Sequence, residues 1–200
     1  MQEENISSEE SLAIIESMIS KAKNQFSENG FMYLLWGWVI LFCSVGQFVL
    51  KQIVGYPKHY LIWILTWVAV IVQMIYVVRR ERRARGKVKT YTHDIVGYVW
   101  LTFIVLMFLV GFLIGNTAGM GSDALITIIF LALYGMPTFL SGIILKFKPL
   151  VIGGIGCWVL TIGAVFVSPD YRLLFLAAAV VIAWIIPGYL LRARYKQQNN

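Results

Sequence analysis

Charge is scarce in this chain: 14% of its 200 residues are Asp, Glu, Lys or Arg, against 59% that are apolar. A soluble globular domain carries about 25% charged residues, so this balance excludes one. Cysteine is rarer still. Cys43 and Cys157 lack a CxxC partner, which excludes a disulfide framework and a cysteine zinc site, and both are expected as small buried hydrophobes. His59 and His93 are expected on opposite sides of a membrane, so they cannot share a metal. The sequence also lacks HExxH, GxSxG, a glycine-rich phosphate loop and a paired-carboxylate signature. No catalytic residue, cofactor or metal site is expected, and the chain does not read as an enzyme.

What is present is apolar length. Crossing a hydrocarbon core about 30 Å thick takes roughly 20 mostly apolar residues in a helix. Six stretches qualify, at 31–51, 60–78, 96–115, 124–145, 150–167 and 171–191. Backbone polar groups in lipid must be bonded inside their own helix or in a closed barrel, and long runs without alternation fit the helix. The expected fold is all-α: an integral membrane six-helix bundle of three sequential hairpins over 30–191, preceded by an amphipathic segment (1–29) and followed by a basic tail (192–200). Ionisable side chains are missing from the span interiors, which disfavours proton relays and coupling through a buried carboxylate.

Charge location gives orientation. Of the seventeen Lys and Arg, fourteen fall before the first span, in the second and fourth connections or after the last span; Lys51, Lys58 and Arg172 alone fall on the other side. The positive-inside rule then places both termini in the cytoplasm of a multi-pass protein of the inner membrane.

The second connection, "VVRRERRARGKVK", carries Arg79, Arg80, Arg82, Arg83, Arg85, Lys87 and Lys89 around Glu81. Clusters of four to eight cations beside a span attract anionic lipid by about 1 kcal/mol each. Lipid or partner contact is the expected role; nucleic acid is not expected, because no groove-entering element or stacking aromatic accompanies the run. Before the first span, Leu12, Ile15, Ile19, Ala22 and Phe26 line one face of a helix, with a capping box at Ser7 and Glu10 and a stop at Asn29 and Gly30. Residues 1–28 hold six Glu and two Lys, which favours docking on protein over lying on lipid.

Inside the spans, Pro137 and Pro187 each remove a helical hydrogen bond. Tyr134, Thr138, Ser141 and Trp184 lie close to them in sequence, and together these six would line a polar cavity if the helices break apart as in some transporters; ordinary tolerance of proline in membrane helices is the alternative. Gln47 and Gln73 are expected to join helices. Gly111 with Gly115 and Ala179 with Ala183 are small-residue pairs suited to close packing within the bundle or between copies in a homo-oligomer.

Taken together, "SLAIIESMISKAKNQFSENGFMYLLWGWVIL", "ILKFKPLVIGGIGCW" and "IIPGYLLRARY" resemble a group of small six-span hypothetical membrane proteins of Bacteroidetes. The resemblance covers the whole chain and brings no binding or catalytic residue. Such proteins are often encoded beside a winged-helix regulator, which implies envelope sensing or control of that regulator as a cytoplasmic partner. The expected function is a regulatory or accessory module presenting a cytoplasmic contact surface. The alternative is a transporter or channel for a small neutral solute.

Overall fold

A computed structural model describes residues 29–83, 91–117 and 123–199. The expected amphipathic segment up to residue 28 lies outside the described residues. Seven α-helical segments form six rods: α1 (Phe31–Gln52), α2 (Ile64–Arg83), α3 (Tyr91–Thr117), α4 (Asp123–Ile144), α5 (Lys148–Val165), and a last rod built from α6 (Arg172–Val180), a π turn (Val181–Ile185) and α7 (Ile186–Asn199). Each of the six described rods is long and apolar enough to cross a membrane. At 1.5 Å per residue, the 22 residues of α1 reach about 33 Å. The chain is an all-helical, multi-pass membrane bundle.

Local chemistry sets the helix ends. Asn29 Oδ1 accepts the Phe31 N–H at 3.1 Å ahead of α1. α4 stops in a Schellman turn: the Phe147 N–H bonds the Gly142 carbonyl at 2.8 Å and the Lys146 N–H bonds that of Ile143 at 3.1 Å, with Lys146 taking the left-handed position (φ 50°) that glycine usually fills. Pro149 then sits in the first turn of α5, where its missing N–H costs nothing. The last rod runs past the expected boundary at 191 and stays helical to Asn199, because "RARYKQQN" is rich in good helix formers and has no glycine or proline to stop it.

Packing follows the small residues. α4 and α5 lie closest of all, so the tightest pair crosses the boundary between two of the expected hairpins. A Cβ added to Gly154 would sit 2.7 Å from Phe139 Cβ and 2.9 Å from the Gly135 carbonyl, and one at Gly142 would sit 2.6 Å from the Val151 nitrogen. α1 packs on α6 and the π turn, so the first and last spans are neighbours. At that seam Gly37 faces Trp184 and Ile185, and on the other flank of the last rod Gly153 meets the Ala183 backbone. Ala179 and Ala183 are buried there as the sequence suggested. Gly111 and Gly115 are not packed in this way: among the described residues Gly115 has no atom within 4 Å of an added Cβ, and Gly111 has Phe130 Cζ at 3.9 Å. Among the described residues no helix packs closely on the face bearing the pair, which leaves it the alternative of packing between copies.

α2 leans on α1 through side-chain bonds. The Trp36 indole donates to Gln73 Oε1 and the Trp63 indole to Gln47 Oε1, both at 2.6 Å. The Asn29 amide donates to the Tyr76 hydroxyl at 2.6 Å, and Phe31 stacks on the Tyr76 ring at 4.4 Å. Apart from Ala69, which is buried, α2 turns an apolar surface outward, from Ile64 and Trp67 through Ile71, Met74 and Ile75 to Val78. In lipid such a surface is at no disadvantage, because acyl chains are as apolar as the side chains.

Candidate functional site

Two places in the bundle concentrate chemistry: the middle, around the prolines, and the basic end. In the middle, Pro187 has no N–H to offer the Ala183 carbonyl, and the rod widens just before it. The Ile186 N–H bonds back to the Val181 carbonyl, five residues away, which is the π pattern. Trp184 is carried on that turn. Its indole N–H donates to Thr138 Oγ1 at 2.8 Å, and the Thr138 hydroxyl donates in turn to the Tyr134 carbonyl at 2.8 Å, one turn earlier on α4 beside Pro137.

The structure therefore brings Tyr134, Pro137, Thr138, Ser141, Trp184 and Pro187 into the bundle interior and packs every one of them. Thr138 and Ser141 have 0% of their surface exposed, Trp184 has 2% and Tyr134 has 5%; both prolines are fully buried. Neither hydroxyl reaches an opening in the bundle. Aromatic rings fill the space. Tyr134 lies 4.8 Å from Trp184 and 5.6 Å from Phe103, while Trp100 lies 5.8 Å from Trp184 and 5.6 Å from Tyr33. Ring centroids at these distances, tilted or edge-on, are attractive beyond their burial. This cluster joins α1, α3, α4 and the π turn. The buried hydroxyls of Ser44 and Ser141 have no hydrogen-bond partner among the described residues.

At the basic end, Arg79, Arg80 and Arg82 stand on the last turns of α2 and Arg83 closes that helix; Arg85, Lys87 and Lys89 lie outside the described residues. The Asn29 to Tyr76 bond fixes this end of α2 beside the start of α1. α7 delivers Arg192, Arg194 and Lys196 to the same end, and the Arg194 guanidinium lies 5.9 Å above the Phe147 ring, in the turn that also holds Lys146 and Lys148. Between α1 and α7 a cleft of about 200 Å³ is lined by Asn29, Phe31, Arg192, Tyr195 and Lys196. A second cleft, about 220 Å³, opens on the outer surface between α3 and α4 and is almost wholly apolar, from Ile95 and Val99 to Met136 and Leu140. At the far end of the bundle, Lys51 pairs with Asp170 in the rim turn before α6, and the hydrogen bond from Lys51 holds that exposed carboxyl below the ordinary aspartate range.

No family model, no curated protein and no solved structure matches this chain.

Two features of the site arise only between segments. Trp100 and Phe103 complete the aromatic filling, and nothing in α3 by itself says that they turn toward α4. The cleft residues Arg192, Tyr195 and Lys196 were visible as an i, i+3, i+4 set within "LLRARYK", but their meeting with Asn29 and Phe31 depends on the first and last spans being neighbours.

Proposed function

We propose that this protein is a regulatory or accessory module of the cytoplasmic membrane, oriented with both termini in the cytoplasm, that works through its basic end and not by passing solute. The observation that carries this reading is the filled centre. A solute path needs polar surface reachable from both sides near the midplane, and here Thr138 and Ser141 are sealed. Charge supports the choice of surface: all the described cations except Lys51, Lys58 and Arg172 gather at the end formed by α2, α7 and the α4–α5 turn, where anionic lipids and the acidic segment 1–28 would meet them. A cytoplasmic protein partner, with a winged-helix regulator as the candidate on resemblance, would dock on this end, and residues 1–28 would supply its apolar stripe. Homo-oligomer formation through the outward Gly111–Gly115 face is a further arrangement of the same module.

Capture of the protein from its native membrane after crosslinking, with and without residues 1–28, tests the proposal by mass spectrometry. A specific partner lost with the truncation is the expected result. Recovery of the protein alone from both would refute it.

One observation favours a second reading, a channel or transporter for a small neutral solute. The π turn beside Pro187 and the proline in α4 put two weak points at the same depth. Opening there would break the Trp184 to Thr138 bond and draw Tyr134 aside. No solute flux into proteoliposomes above that of protein-free vesicles would count against it.

A further inference from the structure

We infer that the cleft between α1 and α7 seats the phosphate group of an anionic membrane phospholipid. The inference deepens the proposed contact between the basic end and the anionic leaflet and rests on it. Arg192, Tyr195 and Lys196 are spaced at i, i+3 and i+4 and so share one face of α7. Arg192 and Lys196 meet no carboxylate among the described residues, and the chain has no Asp or Glu after Asp170. Two cations are thus held together with nothing on their own rod to neutralise them.

The depth is right for a headgroup. Leu191 is fully buried and Arg192 follows it directly, so the guanidinium stands where the packed bundle ends. One turn inward on the same face, Tyr189 is half exposed and offers a wall for the first carbons of an acyl chain. The floor is preformed. Asn29 has both side-chain functions engaged, by the Phe31 N–H and by the Tyr76 hydroxyl, and Phe31 is stacked on Tyr76. Gly30, at φ 69°, lets α1 abut α7; a Cβ there would collide with the Gly188 carbonyl. The cleft, at about 200 Å³, is smaller than the pockets of about 300 Å³ and above that enclose whole drug-sized ligands. It suits a phosphodiester with its glycerol end, leaving the acyl chains in the bilayer. Arg192 supplies a planar fork for two phosphate oxygens and Lys196 a second, point-like cation.

The test uses the full-length protein in a non-ionic detergent, with native mass spectrometry counting bound short-chain phosphatidylglycerol or phosphatidylcholine. The expected result is one retained phosphatidylglycerol per protein. Arg192→Gln with Lys196→Gln should weaken retention roughly tenfold or more, Arg192→Lys should weaken it less, and Lys146→Gln with Lys148→Gln, the same charge removed from another corner of the same end, should leave it nearly intact. Equal loss in the two double variants would overturn the cleft assignment while leaving the broader lipid contact standing. No preference for phosphatidylglycerol in the intact protein would overturn both. Displacement of the lipid by millimolar inorganic phosphate would make the cleft a site for soluble anions and overturn the lipid assignment.

Discussion

Replacing Thr138 by Val and Trp184 by Phe, singly and together, measures the hydrogen bond that ties α4 to the last rod in the middle of the bundle. Thr138→Val keeps the shape of the side chain but removes the acceptor, stranding an indole N–H that has 2% of its residue surface exposed. An unmet buried donor costs about 1–3 kcal/mol. Hydrogen bonds between membrane helices average nearer 0.6 kcal/mol and reach about 1.7, because a chain unfolded within the membrane also finds partners. The expected loss for Thr138→Val is therefore about 1–2 kcal/mol. Trp184→Phe should cost more, since the smaller ring leaves space beside Tyr134 and Trp100, now 4.8 and 5.8 Å away. In the double variant the stranded donor is gone, so the two single losses should exceed the double by about 0.6–1.7 kcal/mol. Unfolding in mixed micelles by added dodecyl sulfate, followed by circular dichroism, gives the three values; seven tryptophans would blur a fluorescence signal. A coupling inside the 0.3–0.5 kcal/mol or so that independent sites show would refute the account of Trp184 and Thr138 as a bonded pair.

Gly154→Ala should destabilise by about 1–3 kcal/mol, because its Cβ would lie 2.8 Å from the Phe139 nitrogen. Gly115→Ala, with nothing within 4 Å, should be neutral or gain up to about 1 kcal/mol from helix propensity; the same unfolding assay separates them. Both cysteines are buried, so maleimide should fail to label the folded protein in mild detergent and should label both once it is unfolded; rapid labelling of either in the folded state would contradict the packing. Lys51→Met should cost under about 1 kcal/mol at neutral pH, since the pair with Asp170 is exposed. The folded carboxyl titrates below its unfolded value of about 3.9, so the contribution is present above that pH and disappears as pH falls through the folded value. Unfolding curves at a series of pH values should show the gap between wild type and Lys51→Met closing on acidification.

Helix number and position were legible because apolar length is a property of each segment alone. The ends were less so: the tail after Leu191 continues as helix, a matter of propensity that a hydropathy boundary does not read. Which way a helix turns is a matter between segments, and the spacing of small residues does not by itself decide it. Gly111 and Gly115 carry the familiar motif and face outward, while Gly135 and Gly142, seven residues apart and so on one face of α4, meet Gly154 and Val151 of α5. A heptad spacing of glycines was the available signal. Pro137 and Pro187 do lead to one interior region, with Thr138, Ser141, Tyr134 and Trp184 around them. Whether such a region is hollow or filled depends on rings arriving from elsewhere, Trp100 and Phe103 from α3 and Tyr33 from α1, and no single stretch of sequence contains that information.

The adjacency of the first and last spans bears on how the protein is made. α1 is synthesised well before the last rod, and the groove that takes Trp184 and Ile185 against Gly37 stays empty until α6 and α7 follow, about 140 residues later. Through that interval the glycine face of α1 and its sealed Ser44 must be shielded by lipid, by α2 or by the insertion machinery. Completion of the last rod is then the step that closes the glycine face of α1, and a fragment lacking that rod would leave Gly37 without its packing partners.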